Sequence, residues 1–517
     1  MNFAKRFIQK FALSIVCMLS CFDRVIFKGY LPFHGEQGLN DYVDRVLRMR
    51  RKDFLPWLKQ HSDLLVAYAQ KLARQHGRPY EYRQGRFKKE KFIDALIRKD
   101  GLHVGLVAVL CVQETCSAVK LKHEEGKPRL IFTRRPQRVL YYYWLDADFG
   151  LMYLRLQTYF PYTMQVYVNG HSWLARQMTH WGLGFVQHDN AFVELDNPQR
   201  AQELADRFAK LSWVKQLNVW ARKINPLLKG RGWLKGMNYY WVIAQAEYST
   251  DILFASQAKL RELYPRLLNH ATVNFTAPDI LTFLGRKLHG NFQGEVLNSL
   301  KKGRLPGARV KHWVKENWLK MYDKFGLILR VETVINQPRE FRVRRRCERN
   351  GQSQLLWCPM NKGVVNLPSY QRVARAANER YLEALSVVDD PAPAYQHMSH
   401  LANSKVAKSK SGKPRAYAGF NPARSDHAQL FRALLSGDHL LRGFYNAQIR
   451  QALWGHSLNA DQRRREATKV TRLLKRLHVR GLIAKIPHTR RWRVTALGQQ
   501  VLGALVRLHY HGLATAV

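Results

Sequence analysis

Four acidic side chains in this chain interrupt apolar runs where a carboxylate has no evident structural reason to be. Asp23 breaks SCFDRVIFKG, Glu247 and Asp251 lie in YYWVIAQAEYSTD, and Glu332 lies in LILRVETVI. Acids are scarce here, 38 Asp+Glu against 85 Lys+Arg, so each such placement carries more information than usual. An ionised carboxylate withdrawn from water is costly unless a cation or a metal compensates it. If the four converge, they supply the oxygen ligands that two-metal phosphoryl transfer requires, because Mg²⁺ takes octahedral oxygen coordination. Asp23, Glu247, Asp251 and Glu332 are therefore the candidate catalytic and metal-ligating residues, with Mg²⁺ as the candidate cofactor. The competing expectation is that bases of this basic chain neutralise each acid. Arg330 stands two residues from Glu332, on the same face of an extended strand, and ion pairs are the commoner use of such charges.

The elements that must position these residues follow from hydropathy pattern. In Arg309–Phe341, Val310, Trp313, Trp318, Leu319, Met321 and Tyr322 lead to a turn at Asp323-Lys324-Phe325-Gly326. Leu327–Ile335 then reads as a strand closed by Asn336-Gln337-Pro338, so the stretch is expected to form a hairpin. Tyr239–Asp251 is expected to be a helix, with Tyr240, Ala244, Glu247 and Asp251 on one face. Lys5, Arg6 and Lys10 precede the apolar run Phe11–Phe22, which mimics a short signal peptide. No small-x-small site follows, so the expectation is an amphipathic helix feeding a strand that carries Asp23. Tyr141–Asp148 is an aromatic strand ending in Asp146 and Asp148, a pair that binds metal or caps a turn. His188-Asp189-Asn190 reads as a polar turn. His171, His180, His289 and His312 show no HxH or HExxH spacing, and the pair His509 and His511 is expected at a helix surface.

Composition limits the partners. A net charge of +47 and a pI near 10.3 make a compact globule self-repelling unless a polyanion compensates it. Nucleic acid, as structured RNA or DNA, is the expected partner. The basic residues run through the whole chain, which suits a wrapped or channelled polymer. Arg134, Arg135, Lys311, Lys324 and Arg330 lie among aromatic residues and are candidate nucleic-acid contacts, with some rings expected to stack on unpaired bases. No apolar run of the roughly 18 residues needed to span a bilayer occurs, so no membrane partner is expected. Six cysteines without CxxC or zinc spacing suggest reduced thiols and a cytoplasmic, nucleoid-associated location. GxGxxG and Walker patterns are absent, which argues against dinucleotide or NTP-driven chemistry.

The chain divides, on this reading, into a mixed α/β basic body at 1–385 (of one or two subdomains), a flexible basic linker at 386–425 and a C-terminal domain at 426–517. The linker is rich in Pro, Gly, Ser and Lys, with Lys405, Lys408, Lys410 and Lys413 available to phosphates. In the last region Ser425-Asp426 caps a first helix, Phe444–Trp454 forms a second and Asp461–Val479 a third. A strand at Leu482–Ile486, a basic turn into Trp492–Thr495 and a final helix at Ala496–His509 follow. This order resembles the winged-helix fold. The resemblance implies that Arg472, Lys475, Arg476 and Arg480 of the third helix, with Arg490, Arg491 and Arg493 of the wing, face nucleic acid. Sixteen Lys/Arg against four Asp/Glu in 426–517 agree with that implication.

Two further resemblances bear on chemistry. Asp23 in its strand-like run looks like the opening carboxylate of an RNase-H-like nuclease. The tract YDKFGLILRVE resembles a strand-turn-strand element of plasmid and phage replication initiators, but their nucleophilic tyrosine and paired histidines are not matched, so nicking chemistry is not implied. Size, uniform basicity and an appended winged helix are similar to nucleases of mobile elements and their ribonucleoprotein relatives. That similarity implies a metal-dependent nuclease or strand-transfer enzyme acting with a structured RNA. The alternatives are a non-catalytic structured-RNA scaffold, whose acids are all ion-paired, and a DNA-binding transcription regulator.

Overall fold

The computed structural model describes residues 4–32, 35–85, 87–124, 127–230, 232–273, 275–286, 296–302, 308–349, 352–388, 401–408, 414–421, 424–456, 459–507 and 509. Lys410, Lys413, His289 and His511 lie outside the described residues. Contacts divide the chain into two compact units, Met1–Cys17 with Ile252–Glu332 and Ala376–Val517, and Met18–Asp251 with Thr333–Arg375. No described helix is long and apolar enough to cross a membrane.

A short helix α1 (Lys5–Lys10) feeds a strand, the sixteen-residue β1 (Ile15–Tyr30), and most of the apolar run expected as helix is part of that strand. Then come α2 (Glu36–Asp41), α3 (Arg51–Gln75), β2 (Tyr80–Arg83) and α4 (Lys89–Asp100). A meander follows: β3 (Gly105–Glu124), β4 (Lys127–Asp146), β5 (Gly150–Gln157) and β6 (Met164–Val168). Asp146 serves the turn between β4 and β5, where its Oδ1 accepts from the backbone N–H of Asp148 (3.0 Å) and Phe149 (3.2 Å). That is the capping reading of the Asp146–Asp148 pair. Next are α5 (Gly170–His180), β7 (Phe185–His188), β8 (Ala191–Leu195), α6 (Pro198–Ala205), α7 (Trp213–Ile224) and β9 (Tyr240–Phe254).

The remaining elements are α8 (Gln257–Val273), α9 (Ala277–Phe283), β10 (Val296–Lys302), β11 (Ala308–Val314), β12 (Asn317–Lys324), β13 (Ile328–Ile335), β14 (Arg342–Arg349), β15 (Gln352–Pro359) and α10 (Leu367–Leu385). After them come β16 (Lys405–Lys408), β17 (Pro414–Tyr417), α11 (Ser425–Leu434), α12 (Gly437–Arg442), α13 (Asn446–Trp454), α14 (Ala460–Val479), β18 (Ile483–Lys485), β19 (Trp492–Val494) and α15 (Ala496–Arg507). Eleven strands form one mixed sheet in the order β10-β11-β12-β13-β9-β1-β6-β5-β4-β3-β2. The fold is thus mixed α/β. The boundary between the two compact units cuts β1, β9 and β13 along their lengths, at Cys17/Met18, Asp251/Ile252 and Glu332/Thr333.

Two expectations require correction. Tyr239–Asp251 is not a helix but most of the central strand β9, whose second half is buried without interruption. Val242, Ile243, Thr250 and Ile252 are β-branched and Tyr240, Trp241 and Tyr248 aromatic, types that favour a pleated, enclosed surface. A continuous apolar run of this kind cannot be told from a buried helix by period alone. The stretch 386–425 is also not a structureless tether in its second part. Strands β16 and β17 pair there from Lys405↔Tyr417 to Lys408↔Pro414, and Leu401 and Phe420 enter the core formed by Leu430, Phe431, Leu474 and Leu502. Two large apolar anchors in a Ser/Lys-rich sequence suffice to dock it.

Candidate metal and catalytic centre

Three adjacent strands of the sheet, β13, β9 and β1, carry Glu332, Glu247 and Asp23. One carboxylate oxygen from each lies within 4.8 Å of the other two, and all three residues are buried. Exposure is 7% for Asp23, 6% for Glu247 and 1% for Glu332. Of the four candidate acids, these three come together, and Asp251 is not among them. At such separations like charges repel strongly in a poorly hydrated interior, so compensation is required. The oxygen-only donor set suits a hard divalent ion such as Mg²⁺.

Glu332 and Asp23 are also held by protein groups, and the local sequence explains how. Phe325 and Gly326 adopt positive φ (61° and 71°), and Asp323 Oδ1 accepts from the Gly326 N–H at 2.8 Å, which closes the turn between β12 and β13. So short a connection forces the two strands antiparallel. Lys320 and Tyr322, two residues apart on β12, therefore share the face on which Glu332 stands. Lys320 Nζ reaches Glu332 Oε1 at 2.6 Å and Tyr322 OH donates to Oε2 at 2.8 Å.

Asp23 is positioned from α5 and from the β7–β8 turn. Asn169 caps α5, its side chain accepting from Ser172 N–H at 2.9 Å. A Cβ on Gly170 would meet the Phe22 carbonyl oxygen at 2.2 Å, so only glycine lets the helix start this close to β1. That approach delivers His171, 0% exposed, with Nδ1 3.2 Å from Asp23 Oδ1 and Nε2 3.7 Å from Asp251 Oδ2. Asp251 thus stands beyond the imidazole and outside the three-carboxylate group. The turn at His188-Asp189-Asn190 is as expected, with Asp189 at φ 52°, but it has a second role. Asn190 Nδ2 donates to Asp23 Oδ1 at 2.5 Å. Ser20 Oγ of β1 and Thr250 Oγ1 of β9 lie 2.9 Å apart and tie the two strands together.

His171, Asn190, Lys320 and Tyr322 were not foreseen as site residues. The signal for His171 was present in Asn169-Gly170-His171, a capping residue and a glycine just before it. Lys320 and Tyr322 could have been found from their even spacing across the turn from Glu332. Asn190 had no local signal, since only tertiary contact links it to Asp23.

The expected nucleic-acid contacts divide by exposure. Arg330 is 0% exposed and Lys324 4%, so neither can reach a polymer; the hydrophobic strand encloses both. Arg480 is buried against the carbonyls of Asn403, Tyr417 and Ala418, and Arg476 donates to the carbonyls of Ala418 and Gly419. Both arginines hold the 401–420 stretch instead of facing a ligand. Arg135 donates to the Val119 carbonyl, Arg491 to that of Arg442, and the Lys311 ammonium sits over the Trp313 and Trp318 rings at 4.0 and 3.8 Å. Arg134, Arg472, Lys475, Arg490 and Arg493 are exposed.

No protein-family model, curated protein or solved structure matches this chain.

Proposed function

We propose that the protein is a divalent-metal-dependent phosphoryl-transfer enzyme acting on nucleic acid, a nuclease or strand-transfer enzyme of the mobile-element type. The observation that carries this reading is the convergence of Asp23, Glu247 and Glu332 within 4.8 Å, in a chain whose net charge is +47. A buried acidic centre in so basic a protein is a place to hold metal while the surrounding cations hold a polyanion. When bound there, a divalent ion would polarise a phosphoryl oxygen and lower the pKa of an attacking water. His171 orients Asp23 from behind, with Asp251 on its far side, as outer groups commonly orient carboxylate ligands. Lys320 and Tyr322 fix the rotamer of Glu332.

The order of α11 to α15 with the β18–β19 hairpin supports a winged-helix role for the C-terminal segment. The backbone bridge between Phe444 and Trp492, which adds a third short strand to that hairpin, supports it further. Arg472 and Lys475 on α14, with Arg490 and Arg493 at the hairpin, would contact phosphates in this role.

The test is incubation of labelled single- and double-stranded DNA and RNA with Mg²⁺ or Mn²⁺, for the native chain and for Asp23→Asn, Glu247→Gln and Glu332→Gln. The expected result is cleavage or joining that EDTA stops and that each variant loses; variants that react like the native chain would remove the reading. One observation favours a second reading. The Lys320–Glu332 pair at 2.6 Å neutralises one acid without metal, as a non-catalytic structured-RNA scaffold would require. For that scaffold, purification without nuclease treatment should yield a discrete RNase-sensitive species, with no metal-dependent change in any substrate.

A further inference from the structure

Five residues beyond Asp23 on β1, Lys28 lies opposite Gln165 of β6; Gln165 lies opposite Arg155 of β5, and Arg155 opposite Tyr141 of β4. Residues in register on neighbouring strands share a face. One polar row therefore crosses four strands, and it lines a cavity of about 360 Å³. Arg134 and Glu114 complete its charged lining, so Lys28, Arg134 and Arg155 are opposed by one carboxylate.

That carboxylate is fully engaged. Glu114 accepts from Arg155 at 2.7 and 3.0 Å, from Lys89 at 3.1 Å and from Tyr141 OH at 2.7 Å. Burial alone would raise the pKa of Glu114, but the Arg155 charge, the hydrogen bonds from Tyr141 and Arg155 and the Lys89 charge together hold it below the usual value. Nothing is left for Lys28, which has no ion-pair partner among the described residues. Crowding by protein atoms and the charges of Arg155 and Lys362 push the Lys28 pKa down. An anion in the cavity would reverse that effect. The cations around the cavity outnumber its one carboxylate, so the pocket is net positive, as a phosphate monoester requires.

A pair of stacked tyrosines lies beside this row. Gln165 donates to Tyr153 OH at 2.7 Å, and Tyr153 stacks on Tyr167 with centroids 5.2 Å apart and planes inclined by 9°.

We propose that this pocket binds a phosphate monoester of nucleotide size, presented by the end of a nucleic-acid strand or by a free nucleoside monophosphate. The volume lies at the lower end of small-ligand sites, which start at roughly 300 Å³. Lys28 meets the phosphate as a point charge, and Arg155, locked by Glu114, meets it with a fixed guanidinium. Assignment to a strand end rests on the nucleic-acid reading above; recognition of the phosphate does not.

The test uses the full chain in EDTA, titrated calorimetrically with inorganic phosphate, adenosine 5′-monophosphate and adenosine. The same oligonucleotide with a phosphate or a hydroxyl at its 5′ end is then compared by fluorescence anisotropy. The nucleotide should bind at least about 10-fold more tightly than the nucleoside, and Lys28→Gln should remove that advantage while leaving the circular dichroism spectrum unchanged. Arg155→Lys, which keeps the charge but not the fork, should weaken binding by a smaller factor. A tighter phosphorylated oligonucleotide assigns the site to a strand end, whereas discrimination confined to the mononucleotide assigns it to free nucleotide. Equal affinity for nucleotide and nucleoside, a Lys28→Gln variant that binds like the native chain, or inorganic phosphate binding as well as the nucleotide would each overturn the proposal. Because metal is absent, the outcome is independent of the acidic centre: Asp23→Asn should leave the discrimination intact even if it abolishes metal-dependent cleavage.

Discussion

Asp23 and Lys28 stand five residues apart on β1, and around each the sheet collects charge of one sign. The acidic group draws one side chain from each of three strands, β1, β9 and β13. Its members are almost wholly buried; His171 and Asn190 flank Asp23, and Lys320 and Tyr322 hold Glu332. The basic pocket is open to solvent, with Lys28 itself exposed, and its one carboxylate is shared among neighbours. A chain with 85 Lys+Arg will gather cations in many places, so a basic pocket alone says little about purpose. Three enclosed carboxylates run against composition and against electrostatics, and so say more about chemistry. Conversely, the open pocket says more about what the ligand must carry, because its charge is unbalanced and accessible.

Experiments that separate these two regions rank by expected effect. Asp23→Asn should lower metal-dependent cleavage by about 10²- to 10³-fold, the scale of losing one preorganised electrostatic group. The same variant should melt no lower than the native chain in EDTA, because it relieves repulsion, yet lose the rise in melting temperature that Mg²⁺ gives the native chain. A native-like Mg²⁺ shift in Asp23→Asn would detach the acidic group from metal. His171→Gln should cost about 10- to 100-fold in metal affinity or activity, read as a higher Mg²⁺ requirement; an unchanged Mg²⁺ titration would reduce His171 to a packing residue.

Glu114→Gln strikes the other region. It should destabilise the chain by about 2 kcal/mol in chemical denaturation, because Arg155 keeps its charge in a mostly buried setting, while Mg²⁺ dependence stays native. Phosphate affinity should also respond to pH in a defined direction. The Lys28 pKa is depressed, so its charge, and with it nucleotide affinity, is present at low pH and lost as pH rises through that depressed value; a flat profile over the alkaline range would separate Lys28 from the anion. The smallest effect should come from Arg472→Ala with Lys475→Ala, which should flatten the salt dependence of nucleic-acid binding by about one unit of slope per residue removed.

The acidic group was legible in sequence to an instructive degree. A spacing of four residues places Glu247 and Asp251 on one side of a helix and, being even, on one side of a strand as well. Their common face could thus be inferred although the element was mistaken. Asp23 and Glu332 stood out because each broke an apolar strand in a chain poor in acids. Asn190 could not be read, since a polar turn looks the same whether or not it meets a carboxylate far away in sequence. The basic pocket was invisible for a different reason. Lys28, Arg155 and Tyr141 become neighbours only through the register of four strands, and register is set by pairing, not by any local pattern. Among the arginines, sequence marked the charge but not the exposure, so Arg330, Arg476 and Arg480 looked like ligands for a polymer when they are buried or hold the chain itself.

Strand β1 pairs with β6 from Val25↔Val168 to Gly29↔Met164 without a break. Successive side chains there point to opposite faces, so loss of one codon between Asp23 and Lys28 would turn one end of the strand over relative to the other. Many substitutions at exposed Arg24 should be inherited without harm, whereas a single in-frame deletion beside it would cost one of the two charged regions or the pairing itself. A library that scores deletions apart from substitutions should therefore find residues 24–27 among the least forgiving of the molecule in the first class and only ordinary in the second.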